Sequence, residues 1–475
     1  MTELKLLKLI KQGESQTVSL KSLKTKPSVL ARSMVSFSNT NDGILIIGID
    51  DKTRKICGAK TVREKEECLD NIHRAAKQCC EPNVDIPRIE EVETADGIVF
   101  ITYITKNPDE VCVTDGTVLV RKGTMDIRPS NYEIQLLFSK RNKLKFEEEV
   151  VEGSEIRDID FSKIAKFKRE YFKNRKKGLS GNDIDILRQF GCIKRIGKKD
   201  IPTVAGILCF NKIPQQFFSL DYIHIFRYGA PEKDSSAKLG DNYIDLGTLD
   251  EMIKEAYEYI MDALNKELIP YKNPATGRRE YIPKYPYLVI REAIANAITH
   301  REYHPFIKNG VDILWFSDRI EILNPGLLLD PITPENIYIV RNKQRNSNIA
   351  RILTGYGYAE QIGEGMQLFK RECDKYPLKP KYPEYKEWTD TTVTILYPAE
   401  VGVAKGEFSL ERLNDRQKKA FDFVINRKQI SRKEYVEINN ISERTAVRDL
   451  RDLLEKRVFI TNNKRGWALR YLLKQ

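Results

Sequence analysis

Several things that this sequence lacks narrow what it can be. No stretch approaches the ~20 apolar residues that a membrane-spanning helix needs, so no membrane partner is expected. G-x-x-x-x-G-K-[S/T] occurs nowhere, which argues against a P-loop motor and therefore against a true helicase. The eight cysteines (57, 68, 79, 80, 112, 192, 209, 373) include no C-x-x-C pair and no disulfide-like spacing. Free thiols in a reducing cytoplasm are the expectation. Histidine is scarce, at four. His300 and His304 are four apart, but Pro305 follows and no further Cys or His lies nearby, so a zinc site is short of ligands. Acid is short too: 68 Asp and Glu stand against 80 Lys and Arg, a net charge of +12 with pI near 9.0. That balance favours a polyanionic partner such as nucleic acid.

What is present is a chain of 475 residues, 41% hydrophobic and 31% charged. It is long enough for two to four soluble globular domains. The opening MTELKLLKLIKQGES reads as an amphipathic helix, because Lys5, Lys8 and Lys11 interrupt any signal-peptide core.

The most informative stretch runs from Tyr285 to Gly326. Leu288, Ile290, Ala293, Ile294, Ala297 and Ile298 recur at spacings of three and four, the buried stripe of a helix over Tyr287–Tyr303. Glu292 and Asn296 are four apart, so both side chains leave one face of that helix. A carboxylate and an amide oxygen are hard donors, suited to Mg²⁺ and to orienting a water beside a phosphate. Alone, such a pair is more often a solvated edge. Two extended runs follow, Val311–Phe316 and Arg319–Leu323, joined by Ser317-Asp318, and the second ends in the turn Asn324-Pro325-Gly326. A second glycine turn stands at Gly363-Glu364-Gly365.

Glu-x-x-x-Asn on a helix, a strand ending in Asn-x-Gly and then Gly-Glu-Gly resemble the nucleotide site of the GHKL (Bergerat-fold) ATPases. The wording REAIANAITHREY, DRIEILNPG, RNSNIARIL and EQIGEGM resembles one branch, bacterial and archaeal proteins labelled RecG-like helicases or transcriptional regulators, with a Schlafen/AlbA-like domain in front. The resemblance implies ATP and Mg²⁺ as cofactors, Glu292 as the base that orients water and Asn296 as the metal-holding residue. Asn324 stands where that family has an aspartate accepting from the adenine amino group. Gly326, Gly363 and Gly365 would let backbone approach the nucleotide. Arg345 and Asn346 could approach the phosphates.

Residues 1–145 form the first unit. ESQTVSLK, SNTNDGILIIGIDD, VLVRKGT and PSNYEI resemble, in order, the Schlafen/AlbA-like domain. Helices are expected over Ser28–Ser38 and about Glu64–Gln78, with strands at Ile44–Ile49, Ile98–Ile104 and Thr117–Arg121. The family's second glutamate is replaced by Ser19, which leaves Glu14 and Asp50 or Asp51 where nucleases gather carboxylates for two metal ions. The unit reads as a nucleic-acid platform, with Arg121 and Lys122 as candidate phosphate contacts and a solvated hairpin tip as the alternative.

Residues 146–200 read as a charged helical connector, in which KFKREYFKNRKK is basic with interleaved aromatics. That run is either a nucleic-acid face or an ordinary solvated helix surface. Residues 201–402 make the ATPase-like unit, with two apolar strands expected across PTVAGILCFNKIPQQFFSLDYIHIFRYG, short helices at Pro334–Val340 and Asn348–Leu353, and a last strand at Thr391–Tyr397. Residues 407–475 carry seventeen Lys and Arg against ten Asp and Glu. Helices at Asn414–Asn426, Ser431–Ile438 and Ser442–Lys456, then a hairpin, make a winged helix-turn-helix. Ser431 with Glu434 forms a capping box. Ala446, Val447, Leu450, Leu453 and Leu454 are assigned to its core. Glu443, Arg444, Thr445 and Arg448 face outward where a recognition helix meets bases, and Lys464 and Arg465 sit at the hairpin tip.

The expectation is a multidomain α/β (α+β) protein: a Schlafen/AlbA-like domain, a GHKL-type sandwich and a winged helix. Functionally it reads as a nucleotide-responsive DNA-binding regulator, homodimeric and nucleoid-associated, with weak ATPase activity open. RNA is a second candidate partner, and a Schlafen-like nuclease acting as a defence effector is the alternative.

Overall fold

In the computed structural model of the chain, the described residues are 1–50, 53–341, 343–358, 365–399, 413–427, 429–455, 459–462 and 469–473. Residues 1–400 form one compact unit and 401–475 a second.

The first unit begins with a four-stranded sheet in the order Val18–Lys21, Gly43–Ile47, Gly97–Ile104, Arg88–Thr94. The first pair is parallel and the others antiparallel. Leu45 and Ile47 pack with Leu30, Met34 and Phe37 of the helix Pro27–Thr40 and Ile72 of the helix Val62–Gln78. Ile46 points the other way, to Leu6 and Ile10 of the helix Glu3–Gln12. Both faces are covered, so the strand is apolar without alternation, as its GILII sequence requires.

The larger core is built on a six-stranded sheet, ordered Lys238–Ile244, Ile223–Tyr228, Val311–Trp315, Ile320–Pro325, Thr391–Leu396, Glu384–Glu387. Only Ile223–Tyr228 with Val311–Trp315 is a parallel pair. The helix Tyr287–His300 lies on this sheet, with Val289, Ile290, Ala293, Ile294 and Ala297 buried. The connector is no separate spacer, since Ile164, Phe167, Ile186, Leu187 and Phe190 belong to the same core as Ile294 and Ile313.

Two local expectations fail. The first of the two strands expected after Pro202 is a helix, Val204–Phe210, with all seven residues buried. Thr203 Oγ1 caps it by accepting from the Gly206 N–H at 3.2 Å. A short run buried on every side carries no periodicity to separate helix from strand. Residues 334–340 form turns instead of a helix.

The second unit contains helices Asp415–Arg427, Arg432–Asn439 and Glu443–Glu455 and an antiparallel pair, Phe459–Thr461 with Tyr471–Leu473. The capping box forms: Ser431 Oγ accepts from Glu434 N–H, and Glu434 Oε2 accepts from Ser431 N–H at 2.7 Å. Ala446, Leu450 and Leu453 enter the core with Tyr435 and Phe459. Val447 does not; it is 43% exposed, one residue and so ~100° away from that stripe. Asp449 is buried instead, accepting from Arg416 Nε at 2.7 Å and from Tyr435 Oη at 3.4 Å.

Candidate functional site

Glu292 and Asn296 do share one face of their helix, and Gly365 lies against both. A Cβ on Gly365 would stand 2.7 Å from Glu292 Oε1 and 3.3 Å from Asn296 Nδ2. Glu292 is buried, 2% exposed, whereas Asn296 lines a cavity of about 80 Å³. Asn324, at the end of the strand Ile320–Pro325, lines the same cavity, as do Gly326, Leu327, Ile332, Met366 and Tyr385. Two helices and two strands thus bring together residues up to 89 positions apart, from Asn296 to Tyr385.

The polar atoms of this cavity are unevenly served. Asn296 Nδ2 and Asn324 Oδ1 are buried with no hydrogen-bond partner among the described residues. Such groups are costly when left unpaired in a closed interior. Thr392, paired opposite Asn324 on the next strand, donates to Gly326 O at 2.8 Å. Gly326 has φ +108°, and a Cβ there would meet Glu302 Cβ at 3.0 Å, so the turn requires glycine. Burial, and secondarily the neighbouring Arg345 guanidinium, pull His300 on the cavity wall down to about 4, so its imidazole is neutral at pH 7. Burial, then Tyr338 and Glu292, push the Tyr385 phenol well above its ordinary range.

Arg345 and Asn346 have other work than meeting phosphates. Arg345 Nη1 donates to Glu302 Oε2 at 2.7 Å and to Ser139 Oγ at 2.5 Å, and Nη2 donates to Leu327 O at 2.6 Å. Asn346 Nδ2 donates to Thr299 O and Arg301 O, closing the C-terminal end of the Tyr287–His300 helix. Lys343, which sequence reasoning passed over, lines the cavity, and its ammonium pairs with Asp109 at 3.4 Å. Its only signal was its place in the basic run RNKQRNSN. Gly363 lies outside the described residues.

The cavity wall is also bonded to the N-terminal sheet domain. Ser139 belongs to the helix Asn131–Lys140, and its hydroxyl donates to Glu302 Oε2 at 2.5 Å. Lys140 Nζ meets Glu387 Oε2 at 3.2 Å, and Glu387 Oε1 accepts from Leu328 N–H. Lys106 pairs with Asp330 at 2.7 Å.

Comparisons with known proteins bear on these two regions. Residues 14–130 match the family described as "Schlafen, AlbA_2". Residues 309–396 match the family "Putative ATP-dependent DNA helicase recG C-terminal", a span that holds Asn324, Gly326 and Gly365 but begins after Glu292 and Asn296. The chain carries both domains. Residues 135–225 match a domain of unknown function, DUF8451. No curated protein matches. Among solved structures, the chain is similar to the DIP2311 protein from Corynebacterium diphtheriae, at 16% identity and a TM-score of 0.43, over 97% of this chain and 92% of that one.

In the Schlafen/AlbA_2 domain, one candidate contact is corrected. Arg121 is buried, 2% exposed, donating to Asp126 Oδ1 at 2.8 Å, Val18 O at 3.0 Å and Ser15 O at 3.1 Å, with its guanidinium over the Phe37 ring. Three of its donors are thus committed to the domain core. Lys122 is half-exposed and paired with Glu133. Glu14 Oε1 accepts from Ser19 Oγ at 2.7 Å and from Leu20 N–H at 2.9 Å. The serine that replaces the expected carboxylate therefore binds the remaining one. Asp50 Oδ1 accepts from Thr53 N–H and Oγ1, and Asp51 lies outside the described residues. Among the described residues no group of three His, Cys, Asp or Glu could hold a metal.

In the second unit, Arg444 and Arg448 are exposed on the third helix and Thr445 half-exposed, its N–H donating to Ser442 Oγ at 3.3 Å. Lys464 and Arg465 lie outside the described residues. No helix among the described residues is long and apolar enough to cross a membrane.

Proposed function

We propose that this protein is a nucleotide-responsive DNA-binding regulator with a GHKL-type ATP site and a C-terminal winged helix. The observation that carries the reading is the pair of unpartnered buried amide atoms, Asn296 Nδ2 and Asn324 Oδ1, in a cavity with apolar walls. A purine presents an amino donor on an apolar plane, and this slot offers the Asn324 Oδ1 acceptor beside Leu327, Ile332 and Met366. The residues fit the cofactor: Asn324 would accept from the adenine amino group, Asn296 Oδ1 would hold Mg²⁺, and Lys343 would exchange Asp109 for phosphate. Mg²⁺, when bound, would neutralise phosphate charge. Glu292 would orient a water, and Gly326 and Gly365 leave room where a side chain would intrude.

Responsiveness follows from the bonding of the cavity wall. Loop 326–330 is tied through Glu387, Asp330 and Arg345 to the helix 131–140 and to Lys106 of the Schlafen/AlbA_2 domain. A ligand that shifts this loop acts on contacts shared with that domain. On the second unit, Arg444, Thr445 and Arg448 form the outward face proposed to read base edges, and a homodimer would space two such faces on a pseudo-palindrome.

The test is calorimetric titration of the full chain with MgATP, in wild type and Asn324→Leu. Leucine keeps the volume and removes the acceptor. The reading expects wild-type binding and a loss of about tenfold or more in the variant, the size of one buried hydrogen bond. Equal affinity in the two proteins would remove Asn324 from the site.

A further inference from the structure

The basic run of the connector divides into two sets of cations. On the helix Phe161–Arg175, Lys163 pairs with Glu251, Lys166 with Asp250, Lys168 with Asp183 and Lys173 with Glu170. These are an ordinary ion-paired helix surface. Arg175 and Lys177, at and just beyond its C-terminal end, make no ion pair among the described residues, and neither does Arg351. All three line one pocket of about 350 Å³ whose other walls are Tyr171, Phe190, Thr354 and Gln189, with no acidic residue among them.

Attraction to the helix C-terminus accounts for Arg175 and Lys177. It does not account for Arg351, which comes from another helix, Ser347–Tyr356, and is held with its guanidinium 4.9 Å from the Phe190 ring centroid. Three like charges gathered in one concavity repel one another unless an anion joins them. Guanidinium groups offer paired donors that fit phosphate oxygens. None of the lining residues of this pocket lines the nucleotide cavity.

We propose that Arg175, Lys177 and Arg351 form a second anion site, which takes a phosphate group, with the backbone of a nucleic acid as the source that the chain's net charge favours. Arg175 and Lys177 lie within the span matching the domain of unknown function and Arg351 within the matched span 309–396, and the site depends neither on ATP binding nor on the third helix of the C-terminal unit.

The experiment measures affinity of the full chain for a labelled short duplex between roughly 50 and 200 mM salt, where each lost phosphate contact removes about 0.9 from the log–log slope. Arg175→Gln/Lys177→Gln/Arg351→Gln should lower the slope by roughly 2 to 3. A control with equal charge loss, Lys254→Gln/Lys266→Gln/Lys272→Gln, should leave it in place. Arg175→Gln/Lys177→Gln, confined to exposed residues, repeats the test without touching the Arg351 packing and should lower the slope by about 2. Calorimetry with inorganic phosphate separates the sources. Phosphate binding lost in the variant, with an unchanged DNA slope, identifies a small phosphate compound as the ligand. An unchanged slope together with no phosphate binding to wild type overturns the site.

Discussion

Replacing Gly365 by alanine separates site geometry from stability. The residue begins the helix Gly365–Lys375, so alanine gains helix propensity of up to about 1 kcal/mol. Its methyl group would sit 2.7 Å from Glu292 Oε1, against 3.4 Å for ordinary contact, so the carboxylate must retreat by about 0.7 Å. The obstructing atom is the tip of a flexible side chain, so the fold can yield there without strain in the backbone. A displacement on the order of 1 Å at a positioning group costs up to ~100-fold in rate. On the proposed reading of Glu292 as the residue that orients water, Gly365→Ala should melt at or slightly above the wild-type temperature while MgATP turnover falls by roughly 10- to 100-fold. Phosphate release measured beside thermal unfolding reads both quantities on one sample. Turnover within twofold of wild type would refute the placement of Glu292 in the chemistry. A large fall in melting temperature would refute the claim that only its tip moves.

Two further outcomes follow from the buried charges beside the cavity. Arg345→Met leaves Glu302 buried without its guanidinium and should destabilise the first unit by about 3–5 kcal/mol, read as a lower melting temperature; adding Glu302→Met should recover much of that loss. His300 has its ring held down to about 4 against an ordinary 6.5, so folding favours the neutral form. The stability it contributes is complete above pH 6.5 and is lost as pH falls toward 4. It amounts to at most about 3 kcal/mol, reduced by whatever solvent the cavity admits. Unfolding followed across that window should flatten in His300→Gln, and an identical pH profile in the variant would assign the acid sensitivity elsewhere.

Periodicity alone located the elements that matter most. The three-and-four spacing over 287–298 specified a helix and put Glu292 and Asn296 on one face, and the run 319–323, read as extended, falls in the strand Ile320–Pro325 that carries Asn324. The helices of the second unit were legible for the same reason, because each has one apolar stripe and a capping residue at its start. The run Val204–Phe210 was not, because a segment buried on all sides loses the pattern that tells helix from strand. Arg121 shows the other limit. A sequence says that an arginine is charged and near a turn, but whether it meets solvent or Asp126, Val18 and Ser15 is settled by chain segments about a hundred residues away.

The local chain determined which residues are helical, which carry charge and which pairs leave one face together, since these depend on neighbours within about four positions. Only the tertiary fold decided which donors remain unspent. Arg345 is consumed by Glu302, Ser139 and Leu327, while Asn296 Nδ2 and Asn324 Oδ1 find no partner among the described residues. That division depends on where distant segments bring their own acceptors and donors.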